Sequence, residues 1–134
     1  MCGIFGYNSP LNQTRNHDFF SALSHRGPDA SAVTQIDSWT LGHLRLSIIE
    51  TSDASNQPFE KDGSWLIYNG EIYNYLELRA KYLANVPLRT ESDTEVLITL
   101  LNLHGLKILN ELNGMFAFAW YDSNQRLLQL VRDR

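Results

Sequence analysis

The sequence predicts an α+β domain in which two sheets lie between layers of helices. Strand-like segments occur in runs, with only a few helical segments between them. Two of these segments, residues 64–69 and 115–121, contain continuous apolar runs, which are typical of strands covered on both faces. Sheets of such strands need another layer on each side, so a sandwich of sheets enclosed by helices is the expected architecture.

The first half of the chain is predicted to contain three strands and one helix. Ile4 and Phe5 are strand formers, and three apolar side chains share one face of the helix that follows. A Gly-Pro pair and an Asp-Ser pair indicate turns. The predicted elements are a strand at residues 3–7, a helix at 12–23, a turn at 25–29, strands at 31–36 and 39–49, and a polar loop at 51–61.

The second half contains the most clearly marked helix. Ser92-Asp93-Thr94-Glu95 has the pattern of a capping box, and leucines at helical spacing follow it as far as Gly105. The remaining segments are apolar runs separated by turns. The predicted elements are strands at residues 64–69, 115–121 and 126–132, and helices at 75–83, 92–105 and 106–112.

Composition excludes several classes of function. A net charge of −4 offers no basic surface for nucleic acid or an anionic membrane. No apolar run approaches the ~18–20 residues that a membrane span requires, and the N-terminus lacks the layout of a signal peptide. A single cysteine cannot form an internal disulfide, so a reducing cytoplasm is the expected location.

The single cysteine is the first candidate for chemistry, because it directly follows Met1. Removal of Met1 would leave Cys2 with a thiol and a free α-amine on one residue. An α-amine has a pKa of roughly 7.7–8.0, which suits a general base at neutral pH. Cys2 could thus supply both nucleophile and base. The alternative is a small buried hydrophobic residue at a chain end.

Asn69-Gly70 ends the buried strand and has two interpretations. An Asn amide beside a Gly backbone N–H is the pair of donors that an oxyanion hole needs. Asn-Gly is also the strongest short signal for a hairpin turn, and the residues by themselves favour the turn.

Two charged residues have the same ambiguity. Arg45 lies among apolar neighbours, which usually means the solvent face of a strand; as a functional group it would bind a carboxylate through two contacts. Asp93 at a helix start usually stabilises the helix dipole, but it could hold an ammonium group. A zinc site from His17, His25, His43 and Cys2 is not favoured, because no pair has the short spacing of metal ligands.

Six stretches taken in order resemble the glutaminase domain of glutamine-hydrolysing asparagine synthetases, which are class II, N-terminal-nucleophile amidotransferases. The resemblance runs essentially from end to end. The stretches are Met1-Cys2-Gly3-Ile4-Phe5-Gly6, His25-Arg26-Gly27-Pro28-Asp29, Arg45-Leu46-Ser47-Ile48-Ile49, Asn69-Gly70-Glu71-Ile72-Tyr73-Asn74, Ser92-Asp93-Thr94-Glu95 and Gly114-Met115-Phe116-Ala117-Phe118-Ala119.

The resemblance implies an αββα sandwich of two mainly antiparallel sheets, the N-terminal-nucleophile hydrolase fold. It implies glutamine hydrolysis to glutamate and ammonia through a thioester on Cys2, with Asn69 and Gly70 as the oxyanion hole. Arg45 would bind the α-carboxylate of glutamine and Asp93 its α-ammonium. The other implied substrate-binding residues are Leu46, Ser47, Ile48, Ile49 and Glu71.

The resemblance also implies that residues 1–134 are an incomplete amidotransferase type 2 domain, truncated at the C-terminus. A synthetase domain of the parent chain would be its partner, and ATP and magnesium would bind only there, so no metal or cofactor is expected in this domain. Two alternatives stay open: a non-catalytic binding module, and a related synthetase with another acceptor. A homodimer of the parent is left open too.

Overall fold

The structure is a computed structural model that describes residues 2–47 and 53–134. Within these ranges the strands are β1 (Gly3–Asn8), β2 (Ala30–Ile36), β3 (Trp39–Arg45), β4 (Phe59–Lys61), β5 (Ser64–Ile72), β6 (Gly114–Asp122) and β7 (Leu127–Arg132). The helices are α1 (Gln13–Leu23), α2 (Tyr75–Tyr82) and α3 (Asp93–His104). Short 3-10 helices occur at Ser24–Arg26, Asp53–Ser55 and Gly105–Glu111.

The strands form two antiparallel sheets. The first has the order β1-β3-β2 and the second the order β4-β5-β6-β7. In the first sheet the central strand β3 pairs with β1 from Gly3↔Leu44 to Asn8↔Trp39. In the second, β5 and β6 pair over nine residues each, from Ser64↔Asp122 to Ile72↔Gly114.

The sheets and helices stack in four layers. On the outer face of the first sheet the Phe5 ring stacks on Phe19 of α1, with 4.8 Å between ring centroids. Gly42 makes room for this contact, because a Cβ there would lie 2.1 Å from the Phe5 ring. Between the sheets, Leu41 packs against Ile67 within a small apolar cluster.

The fourth layer covers the outer face of the second sheet. Leucines of α3 pack there against Leu66, Phe118 and Trp120. The order is therefore helix, sheet, sheet, helix, and the predicted α+β sandwich of two antiparallel sheets is confirmed. No helix in the described part of the chain is long and apolar enough to cross a membrane.

Four local predictions are wrong. The Asn69-Gly70 pair is not a turn: β5 continues through it to Ile72, because β6 pairs with the whole segment. β3 ends at Arg45 instead of continuing to residue 49, and residues 48–52 lie outside the described residues. The predicted loop 51–61 contains β4, whose three residues pair with the start of β5. The predicted helix at 106–112 is a 3-10 helix.

The start of α3 is fixed by an unusually dense polar network. The Ser92 side chain accepts from Glu95 N at 3.2 Å, which is the expected half of a capping box. The Glu95 carboxylate, fully buried, accepts instead from Arg89 N, Thr90 N and Lys61 Nζ at 2.7–3.0 Å. These hydrogen bonds keep the pKa of Glu95 below its usual value, although burial alone would raise it.

Candidate active site

The Cys2 thiol lies at the beginning of β1, beside the end of β3. Leu46 N approaches Cys2 Sγ at 3.4 Å, and the thiol lies 3.7 Å from the Leu46 carbonyl oxygen. Arg26 Nε donates to the Cys2 carbonyl at 3.1 Å. Since Ile4 packs between the sheets and side chains alternate along a strand, Cys2 also lies on the inner face, towards the second sheet.

Arg45 lies on the same face, one step beyond the last β1–β3 pair, which is Gly3↔Leu44. It is 7% exposed, so it does not lie on the solvent face of β3. Its Nη1 donates to Asn56 Oδ1 at 2.7 Å, and Asn56 Nδ2 donates in turn to Asp53 Oδ1 at 3.1 Å. The guanidinium is thus held in place by an amide that sequence analysis did not single out.

The segment after β3 is held by the turn that precedes β2. Asp29 Oδ2 accepts from Ser47 N at 2.7 Å, and Asp29 N donates to the Arg45 carbonyl at 3.0 Å. Gly27 lets the two backbones meet, because a Cβ there would lie 2.2 Å from the Leu44 carbonyl. Leu46 therefore lies beside Cys2 and Ser47 is held by Asp29, while Ile48 and Ile49 fall outside the described residues.

On the side of β4, no strand in the described part of the chain pairs with β5 beyond Leu66. Tyr68 N donates to Gln57 Oε1 at 2.6 Å, and Ile72 N donates to Asp93 Oδ2 at 3.1 Å. Alternate amides of a strand point to the same side, so the Gly70 N–H lies between these two, beyond the point where β4 ends. Phe116, which pairs with Gly70 in β6, directs its carbonyl away from β5, where it accepts from Asp133 N.

Gly70 can only be glycine. Its φ is +153°, and a Cβ would lie 2.2 Å from the Met115 carbonyl oxygen. The neighbouring Asn69 has the orientation of Ile67, towards the first sheet, since the two are separated by one residue. Among the described residues the buried Asn69 Oδ1 has no hydrogen-bond partner. This carbonyl oxygen is free to accept a hydrogen bond from a ligand.

Asp93 is fixed by two donors on one oxygen. Its Oδ2 accepts from the Tyr68 hydroxyl at 2.8 Å and from Ile72 N at 3.1 Å. Burial raises the pKa of Asp93 above its usual value, and the hydrogen bonds from Ile72, Tyr68 and Thr94 oppose that rise. Glu71, which is exposed at the rim, raises it further.

The same electrostatic contacts connect the two halves of the site. The pKa of Tyr68 is raised above its ordinary value, first by burial and then by the charges of Asp93, Glu71 and Cys2. Asp37, in the turn between β2 and β3, contacts Tyr121 beside the start of β5. The opposite ends of the two sheets therefore lie together, with Cys2 and Arg45 on one and Gly70 and Asp93 on the other. The structure thus brings the predicted residues of the first sheet and those around β5 to one end of the sandwich.

His43 lies between the sheets, next to this end. It is 1% exposed, and burial lowers its pKa to about 4, opposed by a hydrogen bond to the Tyr68 backbone and aided by the Arg45 charge. Nε2 has no hydrogen-bond partner among the described residues. His43 is thus a neutral core residue. Across residues 2–47 and 53–134, His, Cys, Asp and Glu side chains form no group of three or more suited to a metal ion.

Sequence analysis missed the residues that hold the predicted ones. Asn56 fixes Arg45, Tyr68 fixes Asp93, and Asp29 fixes Ser47. Each is a polar contact between residues at least 11 positions apart, and no local pattern marks it. Asp29 alone had a signal, since it follows the Gly-Pro turn.

Comparison with known proteins gives a family match over the whole chain. The family model described as "Glutamine amidotransferase domain" matches residues 1–134. The putative asparagine synthetase [glutamine-hydrolyzing] 2 of Methanocaldococcus jannaschii is 34% identical over all of this chain and 30% of its own length. Asparagine synthetase B [glutamine-hydrolyzing] of Escherichia coli is 37% identical over 99% of this chain and 25% of its own length.

A third relative carries a different name. The amidase chyE of Penicillium rubens is 40% identical over all of this chain and 22% of its own length. The chain therefore spans less than a third of the length of each of these curated relatives.

Proposed function

The chain belongs to the glutamine amidotransferase domain family, and from this premise we propose that it hydrolyses L-glutamine to glutamate and ammonia with Cys2 as nucleophile. One observation carries the assignment of the residue. The thiol lies at the inner end of β1, beside Leu46 and the buried Arg45, at the end of the sandwich where Gly70 leaves an open strand edge. Such a place would bring a nucleophile, a charge for a carboxylate and the Gly70 N–H into one site.

The proposed reaction has two steps and needs Cys2 as the first residue after removal of Met1. The α-amine takes the thiol proton, and Sγ forms a bond to the γ-carbonyl carbon of glutamine. When the tetrahedral intermediate collapses, the C–N bond breaks and the same proton goes to the leaving nitrogen, which departs as ammonia. Water then attacks the thioester, gives up a proton to the amine, and releases glutamate and the thiol.

The negative oxygen of both intermediates would be stabilised by two donors. The Gly70 N–H is directed to the open edge, and the Asn69 side chain lies on the inner face next to it. Donors already fixed in place act on the developing charge without having to reorganise.

Glutamine would be recognised by its α-carbon substituents. Arg45 would bind the carboxylate and Asp93 the ammonium, with Leu46, Ser47 and Glu71 beside them and Ile48 and Ile49 in the segment outside the described residues. The buried, hydrogen-bonded states of Arg45 and Asp93 support this, since each charge is held in a fixed place before substrate arrives.

The ammonia would serve a synthetase domain of a longer protein, as the names of the relatives suggest. ATP and magnesium would bind in that domain, and this domain would need no cofactor. A free catalytic thiol suits a reducing cytoplasm. These statements rest on relatives of which the chain covers less than a third.

The test measures glutamate release from glutamine by the full-length protein. Cys2→Ala and Cys2→Ser should abolish it, while synthesis from added ammonia survives. A preparation that retains Met1, checked by intact mass, is the matched control for the amine, since Met1 converts it to a non-basic amide. Hydrolysis at the wild-type rate by Cys2→Ala would refute the nucleophile, and the same rate with Met1 retained would remove the α-amine from the mechanism.

A further inference from the structure

The hydroxyl of Tyr68 stands out as a polar group in an otherwise apolar row. On the outer face of β5, Tyr68 is flanked by Leu66 and Ile72, all three in the core formed with α3. Its side chain is 2% exposed, yet its hydroxyl donates to Asp93 Oδ2 at 2.8 Å. We propose that Tyr68 is a positioning residue that holds the Asp93 carboxylate ionised and oriented, so that the site selects substrates that carry an α-ammonium. This rests on the proposed function and deepens it.

The contact is not needed to begin α3. The helix start is already fixed by the Ser92 side chain, which accepts from Glu95 N. Glu95 in turn binds Arg89 N, Thr90 N and Lys61. Packing does not need it either, because a phenylalanine ring would fill the same space between Leu66 and Ile72. The hydroxyl therefore adds something that helix capping and core packing do not require.

What it adds is control of one carboxylate. Ile72 N and the Tyr68 hydroxyl both donate to the same oxygen of Asp93, which fixes the plane of the group. Burial favours the neutral form of Asp93 and raises its pKa. The hydrogen bonds from Ile72, Tyr68 and Thr94 favour the charged form and lower the pKa, whereas the negative charge of Glu71 raises it. Loss of the hydroxyl leaves the burial and the Glu71 charge in place, so Asp93 would take up a proton at a higher pH.

The consequence is a change of specificity instead of a general loss of activity. A neutral or misdirected Asp93 binds an ammonium group poorly, whereas the reacting amide lies at the other end of the substrate. A substrate without the α-amine would not be affected. Glutaramate, which is glutamine lacking that amine, is therefore the discriminating probe.

The experiment compares Tyr68→Phe with the wild type in the full-length protein, with glutamine and glutaramate, between pH 5.5 and 8.5. We expect the KM for glutamine to rise about tenfold with kcat within about twofold, since a hydrogen bond to a charged group is being removed. The acid limb of kcat/KM for glutamine should move up by about one pH unit. The values for glutaramate should stay at those of the wild type.

Tyr121→Phe is the matched control. Tyr121 is also buried and also donates its hydroxyl to a carboxylate, that of Asp37, in the turn at the far end of β3 from Arg45. Both variants lose one buried hydroxyl and should unfold at a lower temperature. Only Tyr68→Phe should change the KM for glutamine and the acid limb. A folded Tyr68→Phe protein with wild-type KM and pH profile overturns the proposal.

A second replacement covers the case in which Tyr68→Phe does not fold. Replacement of Tyr68 by 3-fluorotyrosine keeps the ring and makes the hydroxyl a stronger donor, so the acid limb of kcat/KM for glutamine should move to lower pH. An unmoved limb overturns the proposal.

The proposed function fails separately, if Cys2→Ala keeps its activity. Should no hydrolysis be found, calorimetric binding of glutamine to Cys2→Ala, with and without Tyr68→Phe, still decides: equal affinities refute the role of Tyr68.

Discussion

Replacement of His43 by asparagine should remove most of the pH dependence of stability between pH 4 and pH 6.5. His43 lies between the two sheets, its side chain hydrogen-bonded to the Tyr68 backbone. Because Nε2 has no partner among the described residues, Nδ1 is the nitrogen that donates to Tyr68. Protonation would place a second N–H at Nε2, which has no acceptor among the described residues, next to the positive charge of Arg45.

The sign follows from the direction of the shift. The folded pKa of about 4 lies below the ordinary value of 6.5, so the unfolded chain binds more protons between these values. The free energy of unfolding therefore has its full value above pH 6.5 and falls as the pH is lowered through 6.5 towards 4. At 1.36 kcal/mol for each pH unit between the two pKa values, the total loss is about 3 kcal/mol.

The assay is urea denaturation of the wild type and His43→Asn at half-unit steps from pH 4 to pH 8. Asparagine can keep the donor to Tyr68 but cannot titrate, and the smaller side chain should lower stability by roughly 1–3 kcal/mol at every pH. His17→Gln on the exposed face of α1 is the control and should retain the wild-type slope. If His43→Asn retained it as well, His43 would not be the neutral buried group described here.

Two further variants probe the proposed site. Asn69→Ala should lower kcat by about 10²–10³ with KM within about twofold, because it removes one donor to the intermediate; a rise in KM alone would make Asn69 a ground-state contact. Asn56→Ala removes the acceptor that lies 2.7 Å from Arg45 Nη1, so it should raise the KM for glutamine about tenfold with little change in kcat. Asn124→Ala, in an exposed turn, is the control. Equal KM values for the two variants would contradict the positioning role of Asn56.

The layers of the fold were predictable from apolar patterns, because burial on one face or on both leaves a period in the sequence. Residues 64–69 and 115–121 are buried strands as predicted, and the capping pattern at Ser92 locates α3. The first and last residues of the strands were less predictable. β4 has only three residues, and its pairing with β5 depends on a partner that no local pattern identifies.

The residues of the site were predictable as types but their supports were not. Cys2, Arg45 and Asp93 carry chemistry that can be named from the residue alone, and the structure has them at the same end of the sandwich. Asn56 and Tyr68 act through distant partners, and an asparagine in a loop or a tyrosine in an apolar run has no distinguishing pattern.

The Asn69-Gly70 pair shows why local reasoning fails at this site. Its turn propensity is real, but a turn there would remove the pairing with β6 from Asn69↔Ala117 to Ile72↔Gly114, so the sheet prevails over the dipeptide. Position 70 nevertheless requires glycine, because its φ is +153° and a Cβ would lie 2.2 Å from the Met115 carbonyl oxygen. Within residues 2–47 and 53–134, no strand lies beside the amide of this glycine, since β4 pairs no further along β5 than Leu66 and the Gln57 side chain accepts from the next amide, that of Tyr68. Among the described residues, the early end of β4 therefore leaves the Gly70 N–H without a strand partner on that side, and the proposed oxyanion site depends on the short length of β4.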